Sequence, residues 1–247
     1  MRTVALVQAR MGSTRLPGKV LADLDGRPLL ALVLERAAAA RGLDAVAVAV
    51  PDLPRDDAIA RFCAREGVAC IRGSESDVLD RYHRGAEALD AELVVRITAD
   101  CPLIDPEVVA RLLDFRRERE LDYAGVATGA LPPNAGRRRF PDGLDCEVFT
   151  RAALDRAWRE SGDPYDREHV SPFIQRDERL RRGVLEAEED YGTERWTVDH
   201  PSDLELVRKL VAKLGRRAGY REILALLERE PQLRAINSAL ALYPSRT

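Results

Sequence analysis

The stretch Gln8-Ala9-Arg10-Met11-Gly12-Ser13-Thr14-Arg15-Leu16-Pro17-Gly18-Lys19 follows directly on the apolar run Val4-Ala5-Leu6-Val7. A chain that leaves a buried strand and at once places two arginines, a lysine, two glycines, a serine and a threonine in one turn is expected to build a seat for an anion, the alternative being a solvated basic loop after a strand. Backbone N–H groups in a glycine-rich strand-to-helix turn converge on one point, and basic side chains add charge. Ala9, Arg10, Gly12, Ser13, Arg15 and Lys19 are the candidate phosphate-binding residues. Two familiar loops are excluded. The spacing from Gly12 to Gly18 is one residue too long for G-x-x-x-x-G-K-[ST], and Val20 follows the lysine; the dinucleotide fingerprint G-x-G-x-x-G is absent.

Composition decides how much each basic residue means. Lysine occurs only at Lys19, Lys209 and Lys213, so 36 of the 39 basic residues are arginine. Any one arginine is weak evidence. A lysine standing where arginine is the default choice carries more, and Lys19 lies in the opening loop.

Working outward, strands and helices alternate. Thr3–Ala9, Ala45–Val50, Val68–Ile71 and Leu93–Thr98 read as strands, with Asp122–Ala127 as a fifth. Between them Pro28–Ala40, Arg55–Glu66 and Asp77–Leu89 read as helices, and Asp105 caps another that starts at Pro106 and runs to about Arg119. This order predicts an α/β fold: a mostly parallel sheet with helices on both faces. Such sheets bind ligands at the carboxyl ends of their strands, where the opening loop and Asp100 both fall. From Gly129 to Gly143 the periodicity breaks, and the region of about 130–195 reads as an excursion from the sheet. Beyond the break, Asp145–Phe149 is a strand and Thr150 caps a helix through Glu160. The segment Arg182–Glu188 alternates as an exposed strand would. Trp196-Thr197-Val198 reads as a strand ending at Asp199. Ser202 to Glu205 reads as a capping box opening a helix to Leu214, and a last helix covers about Tyr220–Arg229.

The chain has 247 residues, 45% of them hydrophobic, enough to bury a core, and is read as a single domain over 1–247. A net charge of −3 offers no basic field for nucleic acid. No apolar run is long enough for a signal sequence or a membrane span. The four cysteines (Cys63, Cys70, Cys101, Cys146) form no C-x-x-C pair and suit a reducing compartment as core fillers, so a cytoplasmic protein is expected.

The pattern Ala9-Arg10-x-Gly12-Ser13-x-Arg15-x-Pro17-Gly18-Lys19 resembles the signature loop of the cytidylyltransferases that activate acidic sugars, the 3-deoxy-manno-octulosonate and acylneuraminate enzymes. "VQARMGSTRLPGKVL" is most similar to the branch named after spore coat polysaccharide biosynthesis protein F. Three further segments fit: Arg96–Pro106, Phe140–Phe149 and Arg195–Val207, so the resemblance covers nearly the whole chain. It implies a nucleotide-diphospho-sugar transferase-like, Rossmann-related fold. It also implies CTP and an acidic sugar as substrates, Mg²⁺ as cofactor, a role in surface polysaccharide biosynthesis, and a homodimer. Arg81, in "SDVLDRYH", matches the segment that approaches base and ribose, although a helix-face arginine is the plainer reading.

Asp100 and Asp199 each follow a strand read from the sequence, and Mg²⁺ takes one or two protein carboxylates together with phosphate oxygens and water. Both are candidate metal ligands, and Arg10, Lys19 and Asp100 are the candidate catalytic residues. Each aspartate could instead serve a turn or a cap. Asp145 and Glu147 alternate on one strand face and either bind sugar hydroxyls or are simply solvated. Arg137–Arg139 could close over a substrate carboxylate, but a solvated charge run is the simpler account. His169 reads as a packed helix histidine. Proline at position 102 departs from the D-x-D metal motif of glycosyltransferases. The same loop could still serve a glycosyltransferase, a nucleotidyltransferase with another base or acceptor, or a nucleotide-sugar-binding scaffold without catalysis.

Overall fold

Strands covered on both faces need no polar alternation, and the apolar runs of this chain form the inner strands of a seven-stranded sheet. The computed structural model describes residues 1–129 and 136–240. The chain runs from β1 (Thr3–Gln8) through a small hairpin of β2 (Asp23–Leu24) and β3 (Arg27–Pro28) into α1 (Leu29–Ala38). Then come β4 (Ala45–Pro51), α2 (Asp57–Glu66), β5 (Ala69–Gly73), α3 (Val78–Ala88) and β6 (Leu93–Thr98). α4 (Pro106–Glu118), β7 (Tyr123–Val126), β8 (Cys146–Thr150) and α5 (Arg151–Glu160) follow. The last elements are α6 (Pro164–His169), α7 (Pro172–Arg176), β9 (Arg182–Leu185), α8 (Pro201–Leu214) and α9 (Tyr220–Arg229).

The sheet order is β5-β4-β1-β6-β8-β7-β9. All neighbours pair in parallel except β8, which is antiparallel to both β6 and β7. From β1 the chain builds outward to β4 and β5, then crosses back to place β6 on the other side. The strand order therefore reverses beside β1, and a crevice opens there at the carboxyl ends of β1 and β6. Alternate residues of the inner strands feed two cores. Ala5, Val7, Val95 and Ile97 pack with α1, α2, α4, α8 and α9. Val4, Leu6 and Val94 pack with α3, α5 and the α6–α7 region. Helices thus lie on both faces, as the alternation of the sequence requires.

The capping residues act as read. Asp105 accepts from the N–H groups of Glu107 and Val108, and Thr150 accepts from that of Ala153. Three expectations change. Trp196–Val198 is not a strand. Its N–H groups bond to loop carbonyls, Trp196 to Asp142 O and Val198 to Asp100 O, with only an isolated bridge between Asp142 and Arg195. The capping box lies two residues earlier than Ser202. α8 starts at Pro201, and the Asp203 carboxylate reaches back to the N–H of His200 at 2.9 Å and of Asp199 at 3.0 Å. His169 is exposed at the end of α6, against the ring of Tyr165.

In the region of about 130–195, residues 130–135 of the proposed loop lie outside the described residues. The described part gives β8 and β9 to the main sheet, with α5, α6 and α7 between them.

Candidate active site

The opening loop is held in shape by its own backbone. Ser13 and Gly18 both donate to the carbonyl of Met11, at 2.9 and 3.2 Å, and Lys19 donates to that of Leu16. Gly18 sits at φ 70°, the left-handed region that side chains with a Cβ adopt only with strain, and so turns the chain into the short helix Lys19–Leu21. From outside, the fully buried Asp56 accepts the Met11 N–H at 2.7 Å and ties the loop to the start of α2. Sequence reading passed over Asp56, which fell inside the helix read over Arg55–Glu66.

Lys19 then reaches across the crevice. Its Nζ donates to Asp100 Oδ2 at 2.9 Å, to Asp199 Oδ1 at 2.8 Å and to the carbonyl of Val198 at 2.8 Å. All three donors of the ammonium are used. Burial alone would lower the pKa of Lys19, but the Asp100 and Asp199 charges outweigh it and the net shift is upward. Asp100 shows the converse. Burial would raise its pKa, and Lys19 holds it below the usual carboxylate range. Arg15 adds a second cation to Asp199, at 2.9 Å from Oδ1. Arg10 is exposed at the rim.

A cleft of about 200 Å³ results, lined by Ala9, Arg10, Gly12, Ser13, Arg15, Lys19, Asp100 and Asp199 with Gln8 and Thr98 at the strand ends. Three cations face two carboxylates, which leaves the cleft positive overall and shaped for a polyanion.

The other candidates lie elsewhere. Arg81 is buried on α3, its stem under Gly73, with Nη1 donating to the carbonyl of Ser74 at 2.7 Å. Glu147 is engaged inside the sheet by Arg96 at 2.6 Å, Tyr123 Oη at 2.7 Å and Gln175 Nε2 at 2.9 Å. Asp145 precedes β8, accepts the Gly143 N–H at 2.9 Å and bonds the hydroxyl of Thr128. Arg137 and Arg138 pair with Glu186, and Arg139 pairs with Asp190.

Behind Asp199 stands a buried cluster that the sequence reading did not single out. Arg195 contacts Asp203 at 3.1 Å and both Asp142 and Asp199 at 3.4 Å. Asn237 closes the cluster from the C-terminal turn, donating to Asp203 Oδ1 at 2.9 Å. Gly143 makes this packing possible. At φ 106° its backbone lies so close to Trp196–Thr197 that a Cβ would stand 2.7 Å from Thr197 N. Burial and the nearby charge of Asp145 push Asp142 up to about 8. In a chain this rich in arginine, Arg195 gave no signal of its own.

The two carboxylates, Asp100 after β6 and Asp199 from a loop, are hard oxygen donors of the kind a divalent cation takes. Asp100 and Asp199 converge on one Nζ, and both offer carboxylate oxygens. Among the described residues no cluster of three or more His, Cys, Asp or Glu could hold a metal, so an ion here would draw its remaining ligands from substrate and water. No described helix is long and apolar enough to cross a membrane.

Comparison with known proteins gives a concordant result. The sequence model described as "Cytidylyltransferase" matches residues 4–240. Spore coat polysaccharide biosynthesis protein SpsF of Bacillus subtilis is 31% identical over 236 residues, 92% of this chain and 94% of that protein. A 3-deoxy-manno-octulosonate cytidylyltransferase of Anaeromyxobacter dehalogenans is 35% identical over 250 residues, 86% of this chain and 99% of that one. Among solved structures, a cytidylyltransferase from Leptospira borgpetersenii superposes with a TM-score of 0.87 at 27% identity, covering 99% of this chain and 100% of that one. With a positively charged strand-end cleft inside that matched span, the chain belongs to the cytidylyltransferase family.

Proposed function

We propose that the protein transfers CMP from CTP to the anomeric hydroxyl of an acidic, ulosonic-type sugar and releases pyrophosphate, serving surface polysaccharide biosynthesis. The observation that carries this reading is Lys19 bridging Asp100 and Asp199 in the cleft lined by the opening loop. The hydroxyl oxygen attacks the α-phosphorus, and the bond to the oxygen that bridges to the β-phosphate breaks. This chemistry asks the protein chiefly to position groups and to stabilise charge that develops on the departing pyrophosphate. The loop amides with Arg10, Arg15 and Lys19 bind the β- and γ-phosphates; Ala9, Gly12 and Ser13 shape the seat. Arg15 and Lys19 exchange carboxylate oxygens for phosphate oxygens when nucleotide enters. Asp100 and Asp199 would hold Mg²⁺, which would supply Lewis-acid polarisation of the α-phosphate.

The remaining assignments follow the family rather than the geometry. Asp145 does not line the cleft but feels the charge of Asp100, and it is the better placed of the two sugar-binding candidates, since Glu147 is already committed to three partners. Arg81 acts on the nucleotide only by shaping the turn at Ser74. A cytoplasmic homodimer completes the reading.

The test is pyrophosphate release from CTP with 3-deoxy-manno-octulosonate, N-acetylneuraminate or other acidic sugars, with and without Mg²⁺. Stoichiometric formation of a CMP-sugar is expected. Release of free CMP alone, or turnover of a finished nucleotide sugar, contradicts the reading.

A further inference from the structure

Gln8 is the last residue of β1 and stands between the loop and Thr98 on the wall of the cleft. Nothing so far gives its side chain a role. The structure fixes which way its amide points. Gln8 Oε1 accepts from Arg96 Nη2 at 3.3 Å. An arginine has donors and no acceptor, so the oxygen must face it and the NH₂ group must face away.

Arg96 cannot easily let go. It sits in β6, paired with Glu147 at 2.6 Å. Glu147 is itself gripped by Tyr123 and Gln175 from β7 and α7. Burial works against the charge on both partners, yet each outweighs it for the other, holding Arg96 above and Glu147 below its ordinary range. The pair forms a hydrogen-bonded backstop on β6, the strand beside Gln8.

We propose that Gln8 is a nucleotide-contacting residue, locked by the buried Arg96–Glu147 pair so that its amide NH₂ donates to an acceptor oxygen of the nucleoside or α-phosphate of bound CTP. The proposal rests on the nucleotide reading of this cleft. A triphosphate whose outer phosphates lie on Arg10–Lys19 must bring its inner phosphate and ribose past the ends of β1 and β6, where Gln8 stands. Only a hydrogen-bond acceptor suits that position. Gln8 supplies two N–H groups, its amide oxygen faces Arg96, and its side chain's only hydrogen bond among the described residues is that one. Arg96 and Glu147 are positioning residues. They act through Gln8 and need not touch substrate.

Calorimetric titration of CTP and, separately, of pyrophosphate tests this. Gln8→Glu keeps a partner for Arg96, so the fold is preserved, but it turns an oxygen toward the nucleotide in place of the NH₂. CTP affinity should fall about 30-fold or more, while pyrophosphate, which uses only the loop, stays within twofold of the parent. Gln8→Met, with no donor and no charge, should cost CTP about five- to tenfold, the size of one lost hydrogen bond. Arg96→Met, which frees the amide to rotate, should show a smaller loss confined to CTP. CTP binding unchanged in Gln8→Glu overturns the proposal. So does an equal loss for CTP and pyrophosphate, which would mean that the loop itself had moved. Absence of CTP binding by the parent would instead strike at the nucleotide reading of the cleft.

Discussion

Two arginine-rich segments of this protein look alike in the sequence and differ in the fold. Residues 10–19 carry Arg10, Arg15 and Lys19; residues 137–139 are three arginines in a row. In the second segment each arginine has a carboxylate of residues 186–190 within ion-pair reach, and a backbone carbonyl takes up more of Arg138. In the first, Lys19 is buried between two aspartates and Arg15 rests on one of them, while Arg10 projects at the rim and no described carboxylate pairs with it. The count of cations does not make a polyanion site. Each segment sets three cations against two carboxylates; what differs is that Arg10 alone has no described carboxylate partner and that the first segment lines the strand-end cleft. Arg137–Arg139 form an ion-paired strap to residues 186–190 rather than a freely solvated run.

The sharpest way to break this contrast is to remove charge from the loop side. Lys19→Ala and Asp100→Ala should each lower pyrophosphate release by at least about 100-fold, the scale of losing one preorganised charge-stabilising group. Turnover within threefold of the parent would contradict the assignment. Circular dichroism must accompany the Lys19 variant, because two partly buried carboxylates lose their shared cation. Next in size, Arg10→Ala should weaken CTP binding about tenfold, as expected for a hydrogen bond to a charged group. Arg138→Ala should change it by less than twofold. Equal effects would erase the distinction between the two segments.

The acids of the two regions also titrate in opposite windows. Burial and Asp145 push Asp142, in the wall behind the cleft, up to about 8. A carboxyl raised above its unfolded value stabilises the fold fully below about pH 4 and loses that contribution as pH rises toward 8. Asp142→Asn should therefore flatten the decline of Tm between pH 5 and 8.5; a parallel curve would show that Asp142 is ionised without penalty. Asp190 is the converse. Arg139 holds it down to about 2, so its contribution is present above about pH 4 and fades as pH falls toward 2. Because Asp190 is about half exposed, the effect is screened, and Asp190→Asn should lower Tm only slightly at pH 7 and not at all near pH 2.

The inner sheet was legible in the sequence because buried parallel strands read as unbroken apolar runs. Ala45–Pro51 and Leu93–Thr98 fall where such runs place them. Direction is not written in such runs, so the reversal of β8 could only be seen in the fold. Three apolar-looking residues, Trp196–Val198, suffice for a strand pattern, yet they lie beside loop carbonyls of Asp100 and Asp142 rather than a strand. α6 and α7, six and five residues long, are too short for their periodicity to emerge. At the site, the loop and Asp100 were legible by residue type and position; Asp199 was picked out on a strand that the fold does not form, and it reaches the site from a loop. The supporting shell was not. Asp56, Asp142, Arg195 and Arg96 act through partners 40 or more residues away, or through one buried cluster, and their residue types are ordinary for this composition.

One titration bears most directly on the central claim. CTP, UTP, ATP and GTP are titrated calorimetrically in the presence of Mg²⁺ into the parent protein and into Asp100→Ala. The account predicts that CTP binds preferentially and that the variant weakens it. No triphosphate binding, or tighter binding of a finished nucleotide sugar than of CTP, would contradict it.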